Sequence, residues 1–139
     1  KHTTGIEFNE ISRRYVDSEP EMYLPEVWRQ RAEDVKQGSS NKSVDFFSIP
    51  SNLPAQAMEN MVDIYNRMLG EGIAPEQARM VLPQSMMTEV VMTGNLYALA
   101  NLYNQRIDPH AQYETQLVAK GVGDILSDLF PYSFKELTR

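Results

Sequence analysis

Apolar positions along the chain fall into a few periodic stretches separated by polar or glycine-containing connections. The clearest period covers residues 53–69, where Met58, Met61, Val62, Tyr65, Met68 and Leu69 recur at intervals of three and four. Pro54 stands in the first turn of that stretch, and Gly70 and Gly72 follow its end. The spacing predicts a packed amphipathic helix whose methionine stripe is core rather than a binding groove. Leu96, Leu99, Ala100 and Tyr103 predict a second helix over residues 95–103. Continued to Arg106, it would put Asn95 and Arg106 on one face, because eleven residues make about three turns. Asp108 as cap and Pro109 as first position open a last long helix, with Val118, Val122, Ile125 and Leu129 on its buried side. Gly121 and Gly123 inside it read as close helix packing. Ser133 and Glu136 form a capping box on a terminal turn.

The remaining stretches are shorter. Residues 3–15 mix strand and loop, residues 44–49 read as a short strand closed by Pro50, and residues 86–93 have the β-branched character of a strand feeding the Asn95 helix. Pro75 and Glu76 open a short helix that carries Arg79 and ends near Pro83. Residues 23–29 read as a turn into a short helix with Trp28 as a packing anchor, and residues 37–42, QGSSNK, as a flexible loop. Helices dominate, and a length of 139 residues suits one domain over 1–139 with a real core.

Composition changes this picture mainly by exclusion. A hydrophobic content of 42% with 23% charged residues is globular, and a net charge of −6 argues against a nucleic-acid partner. A local phosphate site needs only a few arginines and stays open. With no cysteine, disulfides, thiolate catalysis and cysteine-ligated metals drop out, and a reducing cytoplasm is the expected compartment. No apolar run reaches the roughly eighteen residues of a membrane span, so no membrane partner is expected, and the start lacks a signal-peptide shape. The chain begins at Lys1 without Met, as a fragment or a mature piece of something longer would. There is no phosphate-cradling glycine loop, nucleophile elbow or paired-histidine motif. His110 and Glu114 lie four apart, but with only His2 besides, no metal is expected.

Two polar clusters stand out against this background. Asn9, Glu10, Ser12, Arg13 and Arg14 fall within six residues; taken alone they favour a solvated turn, with a phosphate that takes a hydroxyl donor and a guanidinium fork as the second reading. Residues 78–114 embed Arg79, Thr88, Thr93, Asn95, Asn101, Arg106, His110 and Gln112 in an apolar segment. Unpartnered, such groups cost on the order of 1–3 kcal/mol each when buried, so a ligand or partner chain is expected to satisfy some of them.

Together the clusters resemble the flavin-dependent thymidylate synthase family. Asn9-Glu10-Ile11-Ser12-Arg13-Arg14-Tyr15 is similar to the second half of that family's signature, R-H-R-x-x-S-x-N-E-x-S-x-R-Y. Ala78-Arg79-Met80-Val81-Leu82-Pro83, then Thr88, Thr93, Asn95, Asn101, Arg106 and Ala111-Gln112-Tyr113-Glu114, follow its A-R-x-x-L-P, T-x-x-x-x-T-x-N, N-x-x-x-x-R and A-Q-x-E order, and the tail Pro131-Tyr132-Ser133-Phe134 fits as well. Lys1-His2-Thr3 stands where the family has Arg-His-Arg, with one extra residue before Asn9, and Tyr97 replaces a frequent arginine. The match runs nearly the whole chain and corresponds to the C-terminal part of such an enzyme, the first strands falling upstream of Lys1.

The resemblance implies an α+β fold, a mixed α/β domain rich in helices with a few strands, assembled as a homotetramer with FAD where subunits meet. It implies reduction of the flavin by NADPH, methylenetetrahydrofolate as one-carbon donor, and conversion of dUMP to dTMP without an enzyme nucleophile. By position, Ser12, Arg14 and Arg79 would hold the dUMP phosphate, with Glu10 and Ile11 also at the nucleotide. Arg106 would bind the pyrimidine and, with Glu10, act in catalysis. His2, Asn9, Glu10, Asn95 and Asn101 would contact FAD. Residue by residue, salt bridges for the arginines and helix caps or core bonds for the asparagines stay open. So do two other classes of function: a non-catalytic nucleotide-binding or oligomerisation module, and a helical domain that binds a partner peptide through its methionine-rich helix.

Overall fold

The computed structural model describes residues 3–16, 18–33, 38–45 and 50–139. They are helix-rich with two small two-stranded antiparallel sheets, the α+β class expected. By backbone contacts they divide into two compact units. The first draws on Lys1–Asn9, Arg29–Ser43 and Val91–Arg139, and the second on Glu10–Trp28 and Val44–Val90.

The first unit contains three helices, α3 (Leu96–Arg106), α4 (Tyr113–Leu129) and α5 (Pro131–Leu137). Ala100, Leu126 and Phe134 form its buried core, with Leu96, Leu99, Tyr103, Val122 and Leu137 packed around them. Tyr103 meets Phe134 edge-on, ring centroids 5.3 Å apart. The inner face of α4 is built from small residues, Ala119 and Gly123, with Leu126. A Cβ at Gly123 would lie 2.6 Å from Tyr103 Cδ2, so the ring seats directly on the α4 backbone.

That seating overturns the face expected for α4. Val118 and Ile125 are 61% exposed and Leu129 65%. Of the expected stripe, Val122 alone packs on the core. Gly121 faces open space, so close packing explains Gly123 and not Gly121. The start of α4 also differs, at Tyr113 instead of Asp108. The Asp108 carboxylate accepts from His110 N at 2.7 Å, and Ala111 N donates to Asp108 O at 2.9 Å, which closes a separate turn. Ser133 lies inside α5, where Pro131 supplies the first turn, and does not cap it.

Two strand pairs complete this unit. β1 (Ile6–Glu10) pairs with β4 (Val90–Gly94), and β2 (Arg29–Arg31) pairs antiparallel with β3 (Ser39–Ser43). The short helix expected over 23–29 and the flexible loop over 37–42 are thus replaced at Arg29 and from Ser39 onward by a ladder. Arg29 Nε donates to Ser39 Oγ at 2.9 Å, so the serines of that stretch find partners that composition did not reveal.

In the second unit α1 (Leu53–Gly70) matches its predicted span to one residue. Tyr65 is its fully buried side chain; Met58, Val62, Met68 and Leu69 are half-buried and Met61 is exposed. After Gly72, at φ +81°, comes α2 (Pro75–Ala78), continued by a 3₁₀ turn at Arg79–Val81. Residues 86 and 87 do not join β4. Met86 bridges Met22 and Met87 N donates to Glu21 O at 2.8 Å, so the predicted strand is two short pairings. Trp28 is 37% exposed and does not anchor a core. The strand expected over 44–49 lies, from residue 46 on, outside the described residues.

Candidate functional site

Two stretches far apart in sequence, residues 10–14 and 79–88, line one cleft of about 360 Å³ within the second unit. The first stretch leaves its strand at Ile11, whose N–H donates to Glu89 O at 3.0 Å, and turns at Ser12 into a 3₁₀ turn, Arg13–Tyr15. Ser12 is the cap of that turn. Its Oγ accepts from Arg14 N at 3.3 Å and from Arg14 Nε at 3.1 Å. Both lone pairs are then occupied, and the hydroxyl proton is left available to donate. The second stretch arrives through α2, whose buried Ala78 seats the helix so that the following turn carries Arg79 to the cleft. Leu82, Pro83 and Met86 add an apolar wall.

The polar groups are arranged unequally. Arg13 lines the cleft and is engaged, donating to Ser18 O, with Ser18 Oγ at 3.4 Å. Arg14 lies over the Tyr15 ring, 5.2 Å from guanidinium carbon to centroid. Arg79 makes no hydrogen bond or ion pair with another described residue. Glu10 is held by Thr88, whose Oγ1 donates to Glu10 Oε1 at 3.0 Å. The cleft therefore carries three arginines against one glutamate in a chain of net charge −6. A free guanidinium, a second one steadied by an aromatic ring and a hydroxyl with its proton available are the kinds of donor that suit a phosphate monoester. The apolar wall suits the less polar part of such a ligand.

Glu10, Ile11, Ser12, Arg14 and Arg79 of the expected nucleotide set are thus brought together. Arg106, the remaining member, belongs to the first unit, in the last turn of α3. Asn9 is exposed on β1, and Asn95 and Asn101 also lie in the first unit. Asn95 caps α3, its Oδ1 accepting from Ala98 N at 2.8 Å, and Asn101 Oδ1 accepts from Gln105 Nε2 at 3.2 Å. In both amides the oxygen is engaged and the –NH₂ is left to donate. His2 lies outside the described residues. Thr88 and Met86 join the site without having been singled out for it; Thr88 stood in the polar cluster, but its role depends on where Glu10 lies. Asp108 is held below its usual carboxylate range, by hydrogen bonds from the His110 backbone and ring, and it is outside the cleft.

Comparison with known proteins agrees with this geometry. The thymidylate synthase complementing protein family matches residues 1–132. The flavin-dependent thymidylate synthase of Thermosipho africanus is 33% identical over 136 residues, 97% of this chain and 59% of the relative. That of Kosmotoga olearia is 37% identical over 128 residues, 91% of this chain and 56% of the relative. Among solved structures, the UMP/dUMP methylase PolB from Streptomyces cacaoi, bound with 5-Br UMP, superposes with a TM-score of 0.82 at 28% identity, covering 98% of this chain and 66% of that one. The chain thus spans somewhat over half the length of the curated relatives it matches. With residues 1–132 matched by its model, the chain belongs to the thymidylate synthase complementing protein family.

Proposed function

We propose that this chain binds dUMP in the cleft of the second unit and takes part in its flavin-dependent methylation to dTMP. The observation that carries the reading is the meeting of Ser12, Arg14 and Arg79 around one cleft, in a chain of this family. Ser12 and the two arginines bind the phosphate by charge-assisted hydrogen bonds, and Ile11 lines the nucleotide's path. Glu10, oriented by Thr88, accepts from the sugar or base. Arg106 binds the pyrimidine and stabilises the negative charge that develops there.

The amides of Asn95 and Asn101, with their –NH₂ groups free to donate, fit the carbonyl and ring-nitrogen acceptors of a flavin, and Asn9, Glu10 and His2 complete the proposed contacts. FAD, when bound, supplies the redox chemistry, with NADPH as its reductant and methylenetetrahydrofolate as the carbon source. A homotetramer with sites at subunit interfaces goes with this reading; the exposed Val118, Ile125 and Leu129 of α4 support it, since an apolar helix stripe of this kind marks an interaction surface. The test is a flavin spectrum of the purified full chain titrated with dUMP, followed by tritium release from labelled dUMP. A spectral shift with turnover is expected. A chain that neither shifts nor releases tritium overturns the enzyme reading, and a colourless chain that still binds dUMP points to a nucleotide-binding module.

A further inference from the structure

Arg29, at the start of β2, is held from three sides although it lies outside the cleft. Its Nη2 is ion-paired with Glu114 Oε1, its Nε donates to Ser39 Oγ at 2.9 Å, and its guanidinium carbon stands 4.3 Å from the centroid of the Tyr113 ring. Its side chain is only 18% exposed. A planar fork alone among cations offers an edge to carboxylate and hydroxyl while stacking its face on a ring.

What Arg29 holds is the beginning of α4, since Tyr113 and Glu114 are its first two residues. The connection before them, residues 107–112, is braced as well. Gln116 Nε2 donates to Ala111 O at 2.8 Å, and Gly38, at φ +89°, comes so close that a Cβ there would stand 2.9 Å from His110 O. At the other end of the connection is Arg106, the last residue of α3. Its guanidinium makes no hydrogen bond or ion pair with another described residue, so what the surrounding structure fixes is the backbone at the end of α3 from which it reaches.

We propose that Arg29 is a positioning residue: by holding Tyr113 and Glu114 it fixes the 107–112 connection, and through it the end of α3 that presents Arg106 to the nucleotide. The inference rests on the reading that Arg106 meets the pyrimidine. It is tested on the full chain with R29A, R29K, R106A and the R29A/R106A double variant, using dUMP as probe. Backbone amides of 107–112 are expected to exchange hydrogen faster in R29A, with those of α1 unchanged. The dUMP Kd should rise on the order of tenfold, and R29A should add nothing to the loss already caused by R106A. R29K keeps the charge but loses fork and stacking, so its exchange should resemble that of R29A, which keeps the test open if R29A does not fold. Unchanged exchange at 107–112 overturns the proposal, as does a double variant whose losses multiply in full. If R106A alone leaves dUMP affinity intact, the reading of Arg106 has failed, and exchange at 107–112 still decides whether Arg29 holds the connection.

Discussion

The two units use their residues for different ends. The first surrounds Ala100, Leu126 and Phe134 with three helices and brings one of them so close that Gly123 has no room for a Cβ beside Tyr103. Among its described residues the second fully buries one large side chain, Tyr65, and brings Arg14, Arg79, Ser12 and Glu10 to a cleft. Apolar contacts depend on shape, and their loss is felt as stability. Charged groups at an open cleft are solvated without their ligand, and their loss is felt in binding. The contrast is therefore measurable as a separation between two kinds of effect.

Phe134→Ala should give the largest one. Removing this buried ring is expected to cost about 3–5 kcal/mol in denaturant unfolding, while the folded chain keeps its dUMP affinity. A parallel loss of affinity in the folded chain would erase the distinction between the units. Arg79→Ala should do the reverse, weakening dUMP binding by about 1.5–3 kcal/mol, or roughly 10- to 150-fold, with the melting temperature nearly unchanged. Calorimetric titration checks the first part and thermal unfolding the second.

Gly123→Ala and Gly121→Ala sharpen the comparison inside one helix. The first forces a methyl group into the Tyr103 ring and should cost about 1–3 kcal/mol, whereas the second meets open space and should stabilise by up to about 1 kcal/mol through helix propensity. Equal effects at the two positions would mean that the ring does not sit on α4. The smallest effect concerns Asp108. Folded Asp108 is more acidic than its ordinary value of 3.8, so its contribution is present above that value and fades as pH falls through the lowered one. Asp108→Asn should flatten the acid limb of a melting-temperature profile as pH falls below about 4. An unchanged acid limb would show that the His110 contacts do not hold the carboxylate in solution.

Legibility differed in the same uneven way. The helix at Leu53–Gly70 was readable because a regular period, an early Pro54 and closing glycines all agreed. The period of α4 was equally visible, yet Val118, Ile125 and Leu129 were assigned to the wrong side. Large apolar residues announce a stripe, but the inner face was chosen by Ala119 and Gly123, whose value lies in what they leave vacant for Tyr103. The start of α4 was misplaced because Asp-Pro is a good helix opening and an equally good turn, and the His110 contacts decided for the turn. β2 and β3 were missed because their residues, RQR and SSNKS, carry no strand signal of their own.

The sequence by itself singled out Glu10, Ile11, Ser12, Arg14 and Arg79, which one cleft brings together, through ordered motifs that resemble those of a known family; it did not single out Thr88 or Met86 for that cleft. Tertiary structure decided the rest: that Ser12 caps a turn and accepts from Arg14, that Thr88 holds Glu10, that Arg13 is engaged by Ser18, and that Arg29 grips the start of α4. These are relations between residues distant along the chain. Their energies depend on distance and direction in space, which the pattern of residue types does not encode locally.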